Sequence, residues 1–191
     1  MVEASSGADV IRCEFSANEA FEAGAAVAGD IVTSIDLEEC LIGDNLAGGA
    51  ISIGPGGIRI ERCTIVGNED GACVGEDLGW GGFVVVNSII AYNEGPAFAN
   101  NANLHADLTC CDICGNSGGN WNTAPVIGQL GQDGNIEAYP AFCDRILGDY
   151  RVEEGSPCAP HSPPNPECDL IGAYGVGCGV VRTEEIGRAH V

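Results

Sequence analysis

Five stretches of the chain can be laid over one another, and each closes on an asparagine: ADVIRCEFSAN (8–18), IDLEECLIGDN (35–45), IRIERCTIVGN (58–68), FVVVNSIIAYN (83–93) and ADLTCCDICGN (106–116). Asn18, Asn45, Asn68, Asn93 and Asn116 stand 27, 23, 25 and 23 residues apart. A unit of that length cannot bury its apolar side alone and must stack on its neighbours, which is the mark of a solenoid.

The columns of the repeat say what kind. Eight residues before each asparagine stand Val10, Leu37, Ile60, Val85 and Leu108, and three before it Phe15, Ile42, Ile65, Ile90 and Ile113, all apolar. Ala8, Ile35, Ile58, Phe83 and Ala106 extend the first set by two. Spacing of two is strand alternation with one face buried. The step of three that separates the eighth-back column from Cys13, Cys40, Cys63, Ser88 and Cys111 requires a bend. Beyond the asparagine the chain turns through Gly into a second short strand, as in Gly49-Ala50-Ile51-Ser52-Ile53 and Gly71-Ala72-Cys73-Val74. A leucine-rich repeat also spaces apolar residues before an asparagine, but its backside is helical or Leu-rich, whereas these segments are Gly-rich and alternate with period two. The expectation is an all-β parallel solenoid of about five coils, with like residues stacked at about 4.8 Å.

In that stack the asparagines form an amide ladder in a turn where Asn tolerates left-handed geometry. The cysteine column reads as small buried residues. Among outward columns, Glu39 falls between Arg12 and Arg62, and Asp36 beside Arg59, as cross-strand ion pairs.

Composition narrows the function. Asp and Glu number 28 against 7 Arg and no Lys, a formal charge of −21. Such a surface repels phosphate backbones and anionic bilayers, so nucleic acid and membrane insertion are not expected, while Ca²⁺ or basic surfaces would be attracted. No run approaches the roughly 18 apolar residues of a spanning helix, and Met1 to Gly7 is no signal peptide. Because the first repeat begins at residue 8, the natural N-terminus is expected upstream. Eleven cysteines point to an oxidising compartment.

The apolar-x-x-Cys-x-Ile-x-x-Asn runs, such as Ile60 to Asn68, followed by Gly-Ala-apolar, resemble the right-handed parallel β-helix repeat of the pectin-lyase-like superfamily over residues 8 to about 118. Downstream, Tyr139-Pro140-Ala141-Phe142-Cys143-Asp144, Gly148-Asp149-Tyr150-Arg151-Val152, Gly155-Ser156-Pro157-Cys158 and Ile171-Gly172-Ala173-Tyr174-Gly175 are similar to the terminal segment of bacterial secreted β-helix proteins. The resemblance implies a secreted or cell-surface protein with repeats over 1–118, a closing segment over 119–178 that covers the last coil, and a tail over 179–191. It also implies two disulfides among Cys143, Cys158, Cys168 and Cys178, with three connectivities open. Ile186-Gly187-Arg188-Ala189-His190-Val191 reads as the translation of a common sequencing adapter and is set aside from function.

The superfamily includes polysaccharide lyases and hydrolases, and a lyase needs a basic residue beside a carboxylate, commonly with Ca²⁺. Here the ladder claims Arg12, Arg59 and Arg62, leaving Arg145 and Arg151. The nearest approach to a hydrolytic or Ca²⁺-binding set is Asp44 with Glu69 and Asp70, followed by Glu76 and Asp77, and Glu38 stacks on Glu61. Acidic pairs are common by chance on so acidic a chain and define no catalytic residue. No cofactor beyond Ca²⁺ is suggested. Trp80, in the turn 75–82, is the best candidate for stacking on a sugar, with Tyr92 and His105 extending the surface. The expected function is a non-catalytic structural, adhesive or carbohydrate-contacting module. Its alternative is the C-terminal part of a polysaccharide lyase or glycoside hydrolase whose active coils lie upstream.

Overall fold

The computed structural model describes residues 2–4, 7–20, 24–29, 34–46, 48–75, 82–99 and 101–178. Glu76, Asp77, Trp80 and the 179–191 tail lie outside the described residues. In chain order the strands are β1 (Val2–Ala4), β2 (Ala8–Ile11), β3 (Glu14–Ser16), β4 (Val27–Gly29), β5 (Ser34–Glu38), β6 (Leu41–Gly43), β7 (Ile51–Ile53), β8 (Gly57–Glu61), β9 (Thr64–Val66), β10 (Cys73–Gly75), β11 (Gly82–Val86), β12 (Ile89–Ala91), β13 (His105–Thr109), β14 (Asp112–Cys114), β15 (Phe142–Asp144) and β16 (Asp149–Val152). A single 3₁₀ turn, Arg145–Leu147, is the helical content of the described residues. The protein is all-β.

Each coil visits three parallel sheets in turn. Sheet A is β1-β4-β7-β10, sheet B is β2-β5-β8-β11-β13, and sheet C is β3-β6-β9-β12-β14. The register stacks equivalents: Ile35 lies on Ile58 and Ile58 on Phe83, while Ile42, Ile65, Ile90 and Ile113 follow one another in sheet C. These side chains fill the bore and are buried. The winding makes about four turns, fewer than the five coils expected, because five stacked rungs enclose only four complete circuits.

Two corners hold the triangular section open, and both are left-handed. The first, six residues before each asparagine, uses Arg12, Glu39, Arg62, Asn87 and Cys110 at φ of 54, 53, 49, 49 and 52°. This is the bend demanded by the step of three. The second uses Ala17, Asp44, Gly67, Tyr92 and Gly115 at 52, 52, 68, 57 and 64°. The left-handed residue thus stands one position before the asparagine rather than on it. The asparagine itself is needed for its amide.

That amide makes a one-way relay. Asn18 Nδ2 donates to Asn45 Oδ1 at 2.9 Å, and the same bond runs from Asn45 to Asn68, Asn68 to Asn93 and Asn93 to Asn116 at 2.8 Å each. Each receiving Oδ1 also accepts the donor's own backbone N–H, as from Asn68 to Asn93 at 2.9 Å. From Asn45 onward, Nδ2 also donates back to a carbonyl of the rung behind, such as Ile42 for Asn68 at 3.0 Å. Every polar atom of an interior ladder amide is therefore used, which is what burial requires.

The segment after residue 118 does two jobs where one was expected. Residues 120–136 plug the end of the bore. Trp121 is buried there and donates its indole N–H to Ile113 O at 3.2 Å. Gln129 imitates a missing strand, accepting from Leu108 N at 3.0 Å and donating to Ala106 O at 2.6 Å. Asn135 ends the cysteine column by accepting from Cys111 N at 3.1 Å. Asn120 extends the ladder one step and donates to Glu137 Oε1 at 2.8 Å. A bare sheet edge is thereby satisfied by side-chain amides.

Residues 138–178 instead lie along the outer face of sheet C. Phe142, Tyr150, Val152, Cys158 and Ile171 pack on Leu41, Val66, Ile89, Ala91 and Cys114. Gly172 N donates to Asn87 O at 2.8 Å and Ala173 N to Thr64 Oγ1 at 3.0 Å. A side chain on Gly172 would sit 2.8 Å from Ile89 Cδ1, so the close approach needs glycine there. β6, β9, β12 and β14 are consequently buried on both faces.

The disulfides differ from the expected set. Cys143 joins Cys178, but Cys168 joins Cys110 of the last rung, and Cys158 is free and buried. Cys110 occupies an outward corner, which lets it reach the cover, whereas Cys158 is spent on Asp112.

Candidate functional site

Sheet B has an outer face that reaches solvent along β5, β8, β11 and β13, whereas sheet C is covered from β6 to β14 and open only at β3 among its described strands. Alternation places Ile35, Ile58, Phe83 and Ala106 inside and leaves Asp36, Arg59, Val84 and Asp107 outside. One position earlier in each strand stand Ser34, Gly57, Gly82 and His105. Gly57 and Gly82 lack side chains, so the surface sinks between Ser34 and His105. The result is a groove of about 330 Å³ lined by Asp36, Arg59, Val84 and His105 over a glycine floor. Gly82 has the carbonyl of His105 3.3 Å from where its Cβ would be, so a side chain here would crowd the next rung as well as fill the groove.

The electrostatics are local. His105 Nε2 lies 3.2 Å from Asp107 Oδ2, both exposed. Arg59 faces Asp36 in the register, yet its guanidinium bonds Glu61 of its own strand at 2.8 Å. The expected Asp36–Arg59 bridge is therefore replaced by a pair two residues apart on one face. The pairing of Glu39 with two arginines does form, with Arg12 Nε at 2.5 Å and Arg62 Nη2 at 2.9 Å. The Arg12 guanidinium, bonded to it, holds the Glu39 carboxyl below its ordinary range. Arg62 also bonds Glu38 and lies 3.7 Å from Glu61, so that stacked acidic pair is bridged by a cation and is no free acid–base couple.

The remaining sequence candidates separate. Asp44 holds a left-handed corner and is exposed. Glu69 pairs through its backbone with Glu94. Asp70 accepts from Gly48 N at 3.1 Å. Among the described residues no group of three or more His, Cys, Asp or Glu is arranged to hold a metal ion. Tyr92 is not on the groove with His105. It takes the second corner, at the edge of sheet C, with the Arg145 guanidinium 4.3 Å over its ring and Phe142 edge-on at 6.5 Å. Its hydroxyl is buried without a hydrogen-bond partner, and burial raises its pKa. His161 lies in a turn of the cover, its Nδ1 3.1 Å from Pro166 O.

One chemically distinctive group was not read from the sequence. Asp112, fully buried on the outer face of β14, accepts from Ala138 N at 3.0 Å and from the Cys158 thiol at 3.2 Å. Burial raises its pKa to about 7, against the opposing effect of these two bonds. The fourth-back column is Glu14, Leu41, Thr64, Ile89 and Asp112. Its change from the acid Glu14 to the uncharged Leu41, Thr64 and Ile89 in the middle rungs was the available sign that something covers this face.

The two disulfides, with no helix among the described residues long and apolar enough to cross a membrane, are compatible with an extracellular protein. Comparison with protein-family models, with curated proteins and with solved structures finds no match to this chain.

Proposed function

We propose that this chain is a non-catalytic, secreted β-helix module of pectin-lyase-like type that contacts polysaccharide along the outer face of sheet B. The observation that carries the reading is the groove itself. It crosses four successive rungs, so its side chains are presented at about 4.8 Å intervals, and a linear ligand can lie along it. Val84 offers an exposed apolar patch and the glycine floor offers close approach. Arg59 and His105 supply donors, and Asp36 an acceptor, for hydroxyls. The bridged state of Glu38 and Glu61 argues for contact over catalysis, since a glycosidase needs two carboxyls with separate roles.

The test is an array of neutral and acidic glycans probed with the chain and with Arg59→Ala and Gly82→Val. Binding that both substitutions abolish, with melting unchanged for Arg59→Ala, supports the reading. Failure to bind any glycan, or binding indifferent to both changes, refutes it.

A further inference from the structure

One thiol of the cysteine column departs from the rest: Cys13 is exposed, whereas Cys40, Cys63 and Cys111 are buried. The column also has a direction. Its buried sulfurs turn back towards the rung before, with Cys40 Sγ 3.4 Å from Val10 O, Cys63 Sγ 3.6 Å from Leu37 O and Cys111 Sγ 3.3 Å from Val85 O. The backbone N–H groups donate the other way, Cys40 N to Cys63 Sγ at 3.4 Å and Cys63 N to Ser88 Oγ at 3.0 Å. Cys13 N–H reaches the Cys40 sulfur in the same sense. That sulfur therefore lies against the residue that carries the exposed thiol.

The register makes the two a pair. Ile11 lies on Glu38 and Glu14 on Leu41, so Cys13 stacks on Cys40. Stacked residues are about 4.8 Å apart, within the roughly 4.4–6.8 Å that a disulfide spans between Cα atoms. The roles of the two differ. Cys13 meets solvent and can take a reagent, while Cys40 is shielded behind it. The Cys63 thiol, bonded to the Cys40 sulfur, favours its thiolate against the opposing effect of burial, and the Cys13 N–H adds to this. Thiolate is the species that attacks a disulfide. Cys63 is itself buried, so a bridge from Cys40 to Cys63 would need a reagent inside the bore.

We propose that Cys13 and Cys40 form a redox-active dithiol whose substrate is a small disulfide and whose product is a Cys13–Cys40 bridge between the Asn18 and Asn45 rungs. The Cys13 thiolate attacks one sulfur of the reagent, whose S–S bond breaks and releases one thiol. The Cys40 thiolate then attacks Cys13 Sγ in the mixed disulfide and expels the second thiol. Two protein thiols are oxidised and one small disulfide is reduced to two thiols. Each departing thiolate takes up a proton that an attacking thiol released. The bridge fastens the end of sheet B farthest from the Cys110–Cys168 disulfide.

Incubating the intact chain with oxidised glutathione, then quenching with acid, alkylating and analysing the peptides by mass spectrometry, tests this. The parent should yield a Cys13–Cys40 cross-linked peptide, with two glutathiones released per bridge and no lasting adduct. Cys40→Ser should stop at the first step, with one glutathione held on Cys13. Ser88 already fills the equivalent slot of another rung and accepts from Cys63 N, so serine is compatible with the column. Cys13→Ser should leave Cys40 and Cys63 unreacted in the folded chain, because the point of entry is gone. A lasting glutathione adduct on Cys13 of the parent, a Cys40–Cys63 bridge, or no reaction at Cys13 would each overturn the proposal.

Discussion

Replacing Asp112 by Asn should change how the stability of the protein depends on pH. The carboxyl is wholly buried between β14 and the cover, and three titratable groups face it: Cys158 from the cover, Cys114 from its own strand and Glu137 from the end of the plug. Desolvation moves its pKa from 3.8 to about 7. The folded value is the higher one, so the folded chain keeps a proton that the unfolded chain gives up. Its contribution to stability is complete below about pH 4, falls as pH rises towards 7, and is flat above that. A gap of about 3 pH units corresponds to about 4 kcal/mol. Asparagine keeps an oxygen for Ala138 N–H and cannot ionise, though it deprives the Cys158 thiol of its acceptor, at about 1 kcal/mol. Urea unfolding of both proteins between pH 4 and 8 isolates the effect, because titrations remote from Asp112 cancel in the difference. The variant should begin slightly less stable at pH 4 and become more stable than the parent, by a few kcal/mol, at pH 8. A difference that stays constant across this range would refute the reasoning.

Asn68→Ala deletes an amide that donates twice and accepts twice in the bore, so a loss of about 3 kcal/mol or more is expected in urea unfolding. Peptide mapping under non-reducing conditions should recover Cys110 with Cys168 and Cys143 with Cys178, with Cys158 alkylated only after denaturation. Cys168→Ser opens a span of 58 residues and should lower stability by about 4 kcal/mol, read from chemical denaturation. Gly67→Ala places a side chain at φ of 68° and against Asp44 Oδ1, and should lower the melting temperature through about 1–2 kcal/mol of strain.

The solenoid was legible because its evidence is periodic. Each Ile of the third-back column needs the same pocket as the one below it, so stacking writes itself into the sequence at intervals of 23 to 27 residues. The Glu39 pairing followed from the same register. What was not legible occurs once. Gln129 acts as a strand and Asn120 as a rung only because the plug folds them into place, and no spacing rule links Asn120 to Asn116 across four residues. The cover was expected at the end of the bore because a bare edge needs closing, yet the plug alone meets that need. Sheet C has apolar outward residues at Leu41, Val66 and Ile89, and these draw the cover to its flank. That displacement is also why Cys158 meets a carboxyl instead of a second sulfur. Of the candidate site, His105 could be named from its column, whereas Arg59 and Val84 acquire meaning only beside the glycines that make a hollow.

The asparagine relay has a stop as well as a direction. An amide that receives a proton bond on its oxygen always has another to hand forward, so nothing within the series dictates how many members it contains. Glu137 does: an ionised carboxyl takes the bond from Asn120 and has none to offer. Copy number is thereby uncoupled from closure. Duplicating the first interval, between Asn18 and Asn45, should yield a longer protein that terminates in the same way, because the cover's bonds to Thr64, Asn87 and Cys110 all lie downstream of it.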